Sequence, residues 1–258
     1  MGEDKCLLTC SEARCLAIPK HSLIMPYLTT KNTKIQKGLE KGYLTFGIHF
    51  APAKISGYNV CSESSEGCEE ACLNTSGLGQ TPNVQEARVK KTKIFMADIK
   101  KGLADISKEI TKETKKAIKQ DLIPCFRLNL TSDLLWEKLR LANGNNLFQE
   151  HPNVQFYDYT KIARRMSLNI PNYHLTFSRS ETFSNQVQAA ALLKEGKNVA
   201  VVFSTKKGEN LPETWKGYKV VDGDKDDLRF LDPSNSIVGL RSKGKAKNDK
   251  TGFVIQVK

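Results

Sequence analysis

No apolar run approaches the ~18 residues that a membrane-spanning helix needs, which excludes a multi-span membrane protein. The chain has no low-complexity tract and no internal repeat, so a collagen or a disordered tail is excluded as well. Its opening, MGEDKCLLTCSEARCLAIPK, lacks a basic start followed by an apolar stretch, and no secretion signal is expected. An even set of cysteines is missing too. There are seven, in a chain of 258 residues that is too large to need staples. Reduced thiols or metal ligands in a cytosolic setting fit that count better than a disulfide framework. Acids are the scarcer charge: 28 against 40 Lys and Arg, a formal net charge of +12. With 39% apolar and 26% charged residues, the composition is that of a globular protein on the polar side.

The basic excess favours anionic partners such as nucleic acid, nucleotides or acidic headgroups. It is partly local, with ten lysines and four acids from Lys90 to Lys119. Phe95, Ile99, Leu103, Ile106, Ile110 and Ile118 recur mostly three or four apart there. That spacing predicts one amphipathic helix, or two in succession, with a lysine-rich outer face. The face is either a solvated surface or a phosphate-backbone contact.

Residues 1–30 read as an extension and residues 31–258 as one domain. A strand is expected at Tyr43–Phe50, then a long loop rich in Gly, Ser and Cys from Ala51 to about Pro82. Apolar segments then recur at 125–130, 154–159, 173–177, 198–203, 218–221 and 237–240. Helix-like pieces lie at 134–143, 160–168 and 184–196, the last with Gly196 placed as a C-cap. The final GFVIQVK reads as a closing strand. Strands alternating with helices imply a parallel sheet with crossovers. Seven candidate strands suit a partial or open parallel α/β barrel better than a small doubly wound sheet.

Such folds place ligands at the carboxyl ends of their strands. The segments there mix carboxylates with cations. Asp133, Asp158, Lys161, Arg179 and Glu181 are the candidates to hold a polar, partly anionic substrate or cofactor. Asp158, in FYDYTK, is a candidate general base whose pKa burial would raise, or a buried structural acid. Arg179 could grip a carboxylate or phosphate bidentately. Asp222, Asp224, Asp226 and Asp227 resemble a cation-binding turn, but the spacing departs from a helix–loop–helix calcium site and a solvated acidic turn is favoured.

The sharpest local signal is NVCSESSEGCEEACLNTSGLG. It sets Cys61, Cys68 and Cys72 within twelve residues. Thiolates are soft ligands, suited to a [4Fe-4S] cluster or to zinc. Three thiolates on a four-iron cluster leave one iron open to a substrate or a methionine-derived cofactor. The spacing matches neither the C-x3-C-x2-C of the main radical S-adenosylmethionine enzymes nor a two-pair zinc knuckle. Zinc would need a fourth ligand, for which His49 and Cys125 are candidates. Cys6, Cys10 and Cys15 form a second, looser trio.

NVCSESSEGCEEACLNTSGLG, VQEARVKKTKIF, RLNLTSDLLWE, VQFYDYTKIARR, NYHLTFSRSE, NVAVVF, VVDGDKDDLRFLDP and IVGLRSKGKAKND together resemble a bacteriophage family, the gene-product-88-like group, from about Lys31 to Lys258. The resemblance implies a phage origin, hence the cytoplasm of an infected host cell. It also implies a barrel akin to the radical-SAM type, with Cys61, Cys68 and Cys72 as the cluster-like cysteines. The expectation is an iron–sulfur protein, acting as a radical-SAM-like enzyme on a nucleotide, nucleic acid or other polar substrate. The rival is a non-catalytic zinc protein that binds nucleic acid or a host factor.

Overall fold

The recurring apolar segments become strands of a parallel sheet, and a central one, VAVVF, is a near-continuous hydrophobic run because it is buried on both faces. The computed structural model describes residues 26–257. Its strands are β1 (Leu28–Thr29), β2 (Tyr43–Ile48), β3 (Ile123–Arg127), β4 (Gln155–Thr160), β5 (Tyr173–Ser178), β6 (Val199–Phe203), β7 (Thr214–Trp215), β8 (Tyr218–Asp222), β9 (Ile237–Arg241) and β10 (Val254–Ile255). They form one sheet in the order β1-β2-β3-β4-β5-β6-β9-β8-β7, with β10 also on β6. From β2 through to β8 every neighbour is parallel. The short β1 and β7 pair antiparallel at the two ends. The sheet is therefore mixed, mostly parallel and open. The α/β class holds, but the strands do not close into a barrel among the described residues.

One irregularity matters for the site. β5 pairs with β6 only at Phe177–Val199 and Ser178–Ala200. β9 occupies the other side of β6 along its whole length. Further along, Val202 and Phe203 pair with Val254 and Ile255 of β10 instead. β10 thus fills the wedge where β5 parts from β6.

The helices are α1 (Thr33–Gln36), α2 (Ala53–Ser56), α3 (Glu66–Glu70), α4 (Pro82–Ala97), α5 (Ile99–Ile118), α6 (Leu147–Glu150) and α7 (Phe183–Lys194). The lysine-rich stretch is two helices. They break at Asp98, whose side chain accepts from the Lys101 N–H and so caps α5. Leu103, Ile106 and Ile110 of α5 are buried in the main core, together with Phe46 and Ile48 of β2, Phe126 of β3 and Phe156 of β4. Phe46 stacks on Phe126 at 5.2 Å. Alternation along β3 then turns Cys125 and Arg127 to the other face, where Cys125 packs with Tyr157 and Leu228 and the Arg127 guanidinium stands 4.5 Å over the Tyr159 ring.

The acidic turn folds against this second face, and its carboxylates are taken by cations. Asp222 and Asp224 pair with Arg241, Asp226 with Lys41 and Arg229, and Asp227 with Arg127 and Lys34. The turn is an ion-pair hub rather than an open cation loop.

Three helix or loop expectations change. Residues 134–143 hold only a 3-10 turn at Trp136–Lys138. Asn129 takes the Leu134 N–H and the Trp136 indole N–H, which holds the segment in place without a helix. Residues 160–168 likewise form a 3-10 turn, Ala163–Ser167. There Arg165 is drawn inward to Glu137 and Asp133. The expected loop after Ala51 contains α2, α3 and two 3-10 turns. Helix α7 ends as read, with Gly196 in the left-handed region at φ 79°. Of the expected extension, residues 1–25, including Cys6, Cys10 and Cys15, lie outside the described residues. Leu28 and Thr29 pair with β2.

Candidate functional site

The cysteine segment crosses the carboxyl edge of the sheet and is tied there element by element. The carbonyl of Val60 accepts from the Asp133 N–H after β3 at 2.8 Å. Glu181, after β5, accepts from the Gly67 N–H at 2.9 Å and from the Ser65 hydroxyl at 2.8 Å. Ser65 in turn accepts from the Cys68 N–H as the N-cap of α3. Gly67 leaves no room for a side chain, since a Cβ there would lie 2.2 Å from Thr251 Oγ1 and 2.8 Å from Phe253 Cβ. From α4, Arg88 donates to Asn74 Oδ1 at 2.9 Å.

Cys61, Cys68 and Cys72 are all free and half-buried. Burial pushes the Cys61 thiol up to about 12, Cys68, Asp133 and Cys72 add to the rise, and Lys161 opposes it. Burial pushes Cys72 up as well; Cys68 adds to this, while Arg88 and Lys161 oppose it. Asp133, Lys161 and Arg88 are thus the charged groups that bear on Cys61 and Cys72. Among the described residues, no group of three or more His, Cys, Asp or Glu side chains is placed to hold a metal ion.

The rim residues divide by exposure and partners. Lys161 is half-buried; its Nζ donates to Ser178 Oγ at 2.8 Å and stands 5.4 Å over the Phe253 ring. Asp133 accepts from Arg165 at 2.7 Å and from the Lys161 N–H at 2.8 Å. Burial raises its pKa against the pull of Arg165. Asp158 is fully buried beneath the rim. It accepts from the Asn129 N–H at 2.7 Å and the Tyr173 hydroxyl at 3.0 Å. Burial carries its carboxyl to about 7, against Arg127 and these bonds. Arg179 is buried at the wall of a cavity of about 250 Å³ lined also by Trp215 and Tyr218, and its Nη1 donates to the carbonyls of Gly252 and Phe253 just before β10. Glu181 is engaged on α3. Asp133 and Lys161 are thus joined to each other at the rim, Glu181 and Arg179 hydrogen-bond the segments around them, and Asp158 is buried below.

The two candidates for a fourth zinc ligand are elsewhere engaged. Cys125 is buried and 3.0 Å from Thr45 Oγ1. His49 lies 3.4 Å from Thr131 Oγ1 and 3.5 Å from Asn32 Nδ2. Burial, with Arg88, Arg127 and Lys91, pushes its pKa down to about 3, so the ring is neutral. Arg88 escaped notice in the sequence. Its signal was there: it is the one arginine between Arg14 and Arg127, in a region served by lysine.

The family model for gene product 88 matches residues 26–257, nearly all of the chain. The chain belongs to the gene product 88 family. No curated protein and no solved structure matches it. The family match spans the cysteine segment, every strand and the carboxyl rim together. No helix among the described residues is long and apolar enough to cross a membrane.

Proposed function

We propose that this family member binds a four-iron cluster through Cys61, Cys68 and Cys72 and acts as a radical-SAM-like enzyme on a polar substrate at the carboxyl rim. The observation that supports the reading is a set of three free, half-buried cysteines on a segment tied to the residues that follow β3 and β5. The donor set is of the right chemical type: three free cysteines, which as thiolates are soft ligands suited to iron–sulfur clusters. Lys161 at Cys61, and Lys161 with Arg88 at Cys72, favour the thiolate against the rise that burial causes. When bound, a cluster with one open iron supplies an electron to S-adenosylmethionine.

The chain's own residues do the rest. Glu181 and Ser65 hold α3, and with it Cys68, against the rim. Lys161 has a hydroxyl partner, Ser178, and no carboxylate ion pair among the described residues, so its ammonium can turn to an anionic group of a ligand. Asp133 fixes the Lys161 backbone and accepts from Arg165. With dithionite as reductant, cluster-loaded protein is expected to cleave S-adenosylmethionine, and the Cys61→Ala, Cys68→Ala, Cys72→Ala triple variant is not. Loaded protein that leaves S-adenosylmethionine intact would contradict the enzyme reading.

A further inference from the structure

Helix α5 faces two ways. Its apolar side is buried in the main core. On its outer side, Lys108, Lys112, Lys115 and Lys119 line a shallow hollow with Thr111, Gln120 and Lys116. The four lysines follow one another at steps of four, three and four residues, so they share one stripe. At ~1.5 Å per residue the stripe is ~16 Å long. All four are exposed.

The acids of the same helix do not neutralise the stripe. Asp105 pairs with Lys101, and Glu113 with Lys116. Glu109 accepts the backbone N–H groups of Tyr27 and Leu28. Among the described residues, none of the four stripe lysines has a carboxylate partner.

We infer that this stripe holds the phosphate backbone of a nucleic acid, without reading its sequence. A duplex strand carries one phosphate per ~3.4 Å of axis, so ~16 Å lies along about five of them. Thr111 and Gln120 add neutral donors for phosphate oxygens. A membrane surface fits less well, because an interfacial helix inserts its apolar side and that of α5 is already in the core. No aromatic anchor stands on the stripe, as the centre of a protein interface would want. The inference does not depend on the cysteines.

The test is fluorescence anisotropy of the full chain with a labelled mixed-sequence DNA duplex over a salt series. Four phosphate contacts predict a slope of log affinity on log salt of about −3.6, or roughly a hundredfold loss between about 50 and about 200 mM salt. The Lys108→Glu, Lys112→Glu, Lys115→Glu, Lys119→Glu variant should lose binding, and the triple cysteine variant should keep it. If the reversal variant does not fold, the corresponding Gln variant should show a shallow slope and weaker binding. No binding by the natural chain, or binding unchanged by these substitutions, would overturn the inference. So would capture by acidic phospholipid vesicles without binding to the duplex.

Discussion

Asp158 shows how a residue chosen for chemistry can serve the scaffold. Its carboxyl is shut beneath the rim by Asn129 and Tyr173, and a folded pKa of about 7 exceeds the unfolded value of ~3.9. The folded state therefore holds the extra proton between these values. The stability this confers is full below pH ~4 and is lost as pH rises through about 7. Relative to Asp158→Asn, the natural chain should lose roughly 2–4 kcal/mol between about pH 4 and about pH 8. Urea unfolding at a series of pH values measures this, and a constant difference would contradict it. Arg165 is more demanding still, because it sits buried between Asp133 and Glu137. Arg165→Met leaves two carboxylates without their cation and should cost about 3–5 kcal/mol in the same unfolding experiment.

At the scale of elements, α3 is too short to hold itself, and its place is set from outside. Glu181→Ala removes the acceptor of the Gly67 N–H and the Ser65 hydroxyl and should cost about 1–3 kcal/mol. A local readout separates this from general loosening: Cys68 should alkylate faster, while buried Cys125 stays protected. Gly67→Ala should act alike, since its methyl meets Thr251 and Phe253. Unchanged Cys68 reactivity in both variants would mean that the tether does not set α3. Element by element, the sequence was uneven as a guide. NVAVVF announced β6 because a strand buried on both faces is apolar nearly throughout, and CFRLNL announced β3 by alternation, with Phe126 and Leu128 in the main core and Arg127 on the other face. β1 and β7 have two residues each and no pattern to display. LLWEKLRLAN has helical spacing, yet Asn129 and Arg165 claim its Leu134 backbone, Trp136 and Glu137 through contacts no local pattern encodes.

At the scale of the molecule, the parallel sheet presents one edge with consecutive strand ends, and the cysteine segment lies across it. The cysteine trio stood out by its spacing, and the placing of Asp133 and Lys161 at the carboxyl ends of β3 and β4 followed in outline from the strand-end rule. The clasp by Glu181 and the approach of Arg88 were not legible, because they join segments 114 and 14 residues apart. The lysine stripe of α5 belongs to the outer helix layer and leaves the cysteine edge to its own chemistry. The central claim is that this edge holds an iron–sulfur cluster. Metal and sulfide analysis with a visible spectrum, on protein purified without oxygen, tests it most directly. Iron with sulfide and a broad band near ~400 nm, absent from a folded Cys61→Ala, Cys68→Ala, Cys72→Ala variant, is the predicted result. Zinc, or well-folded protein without iron and sulfide, would contradict it.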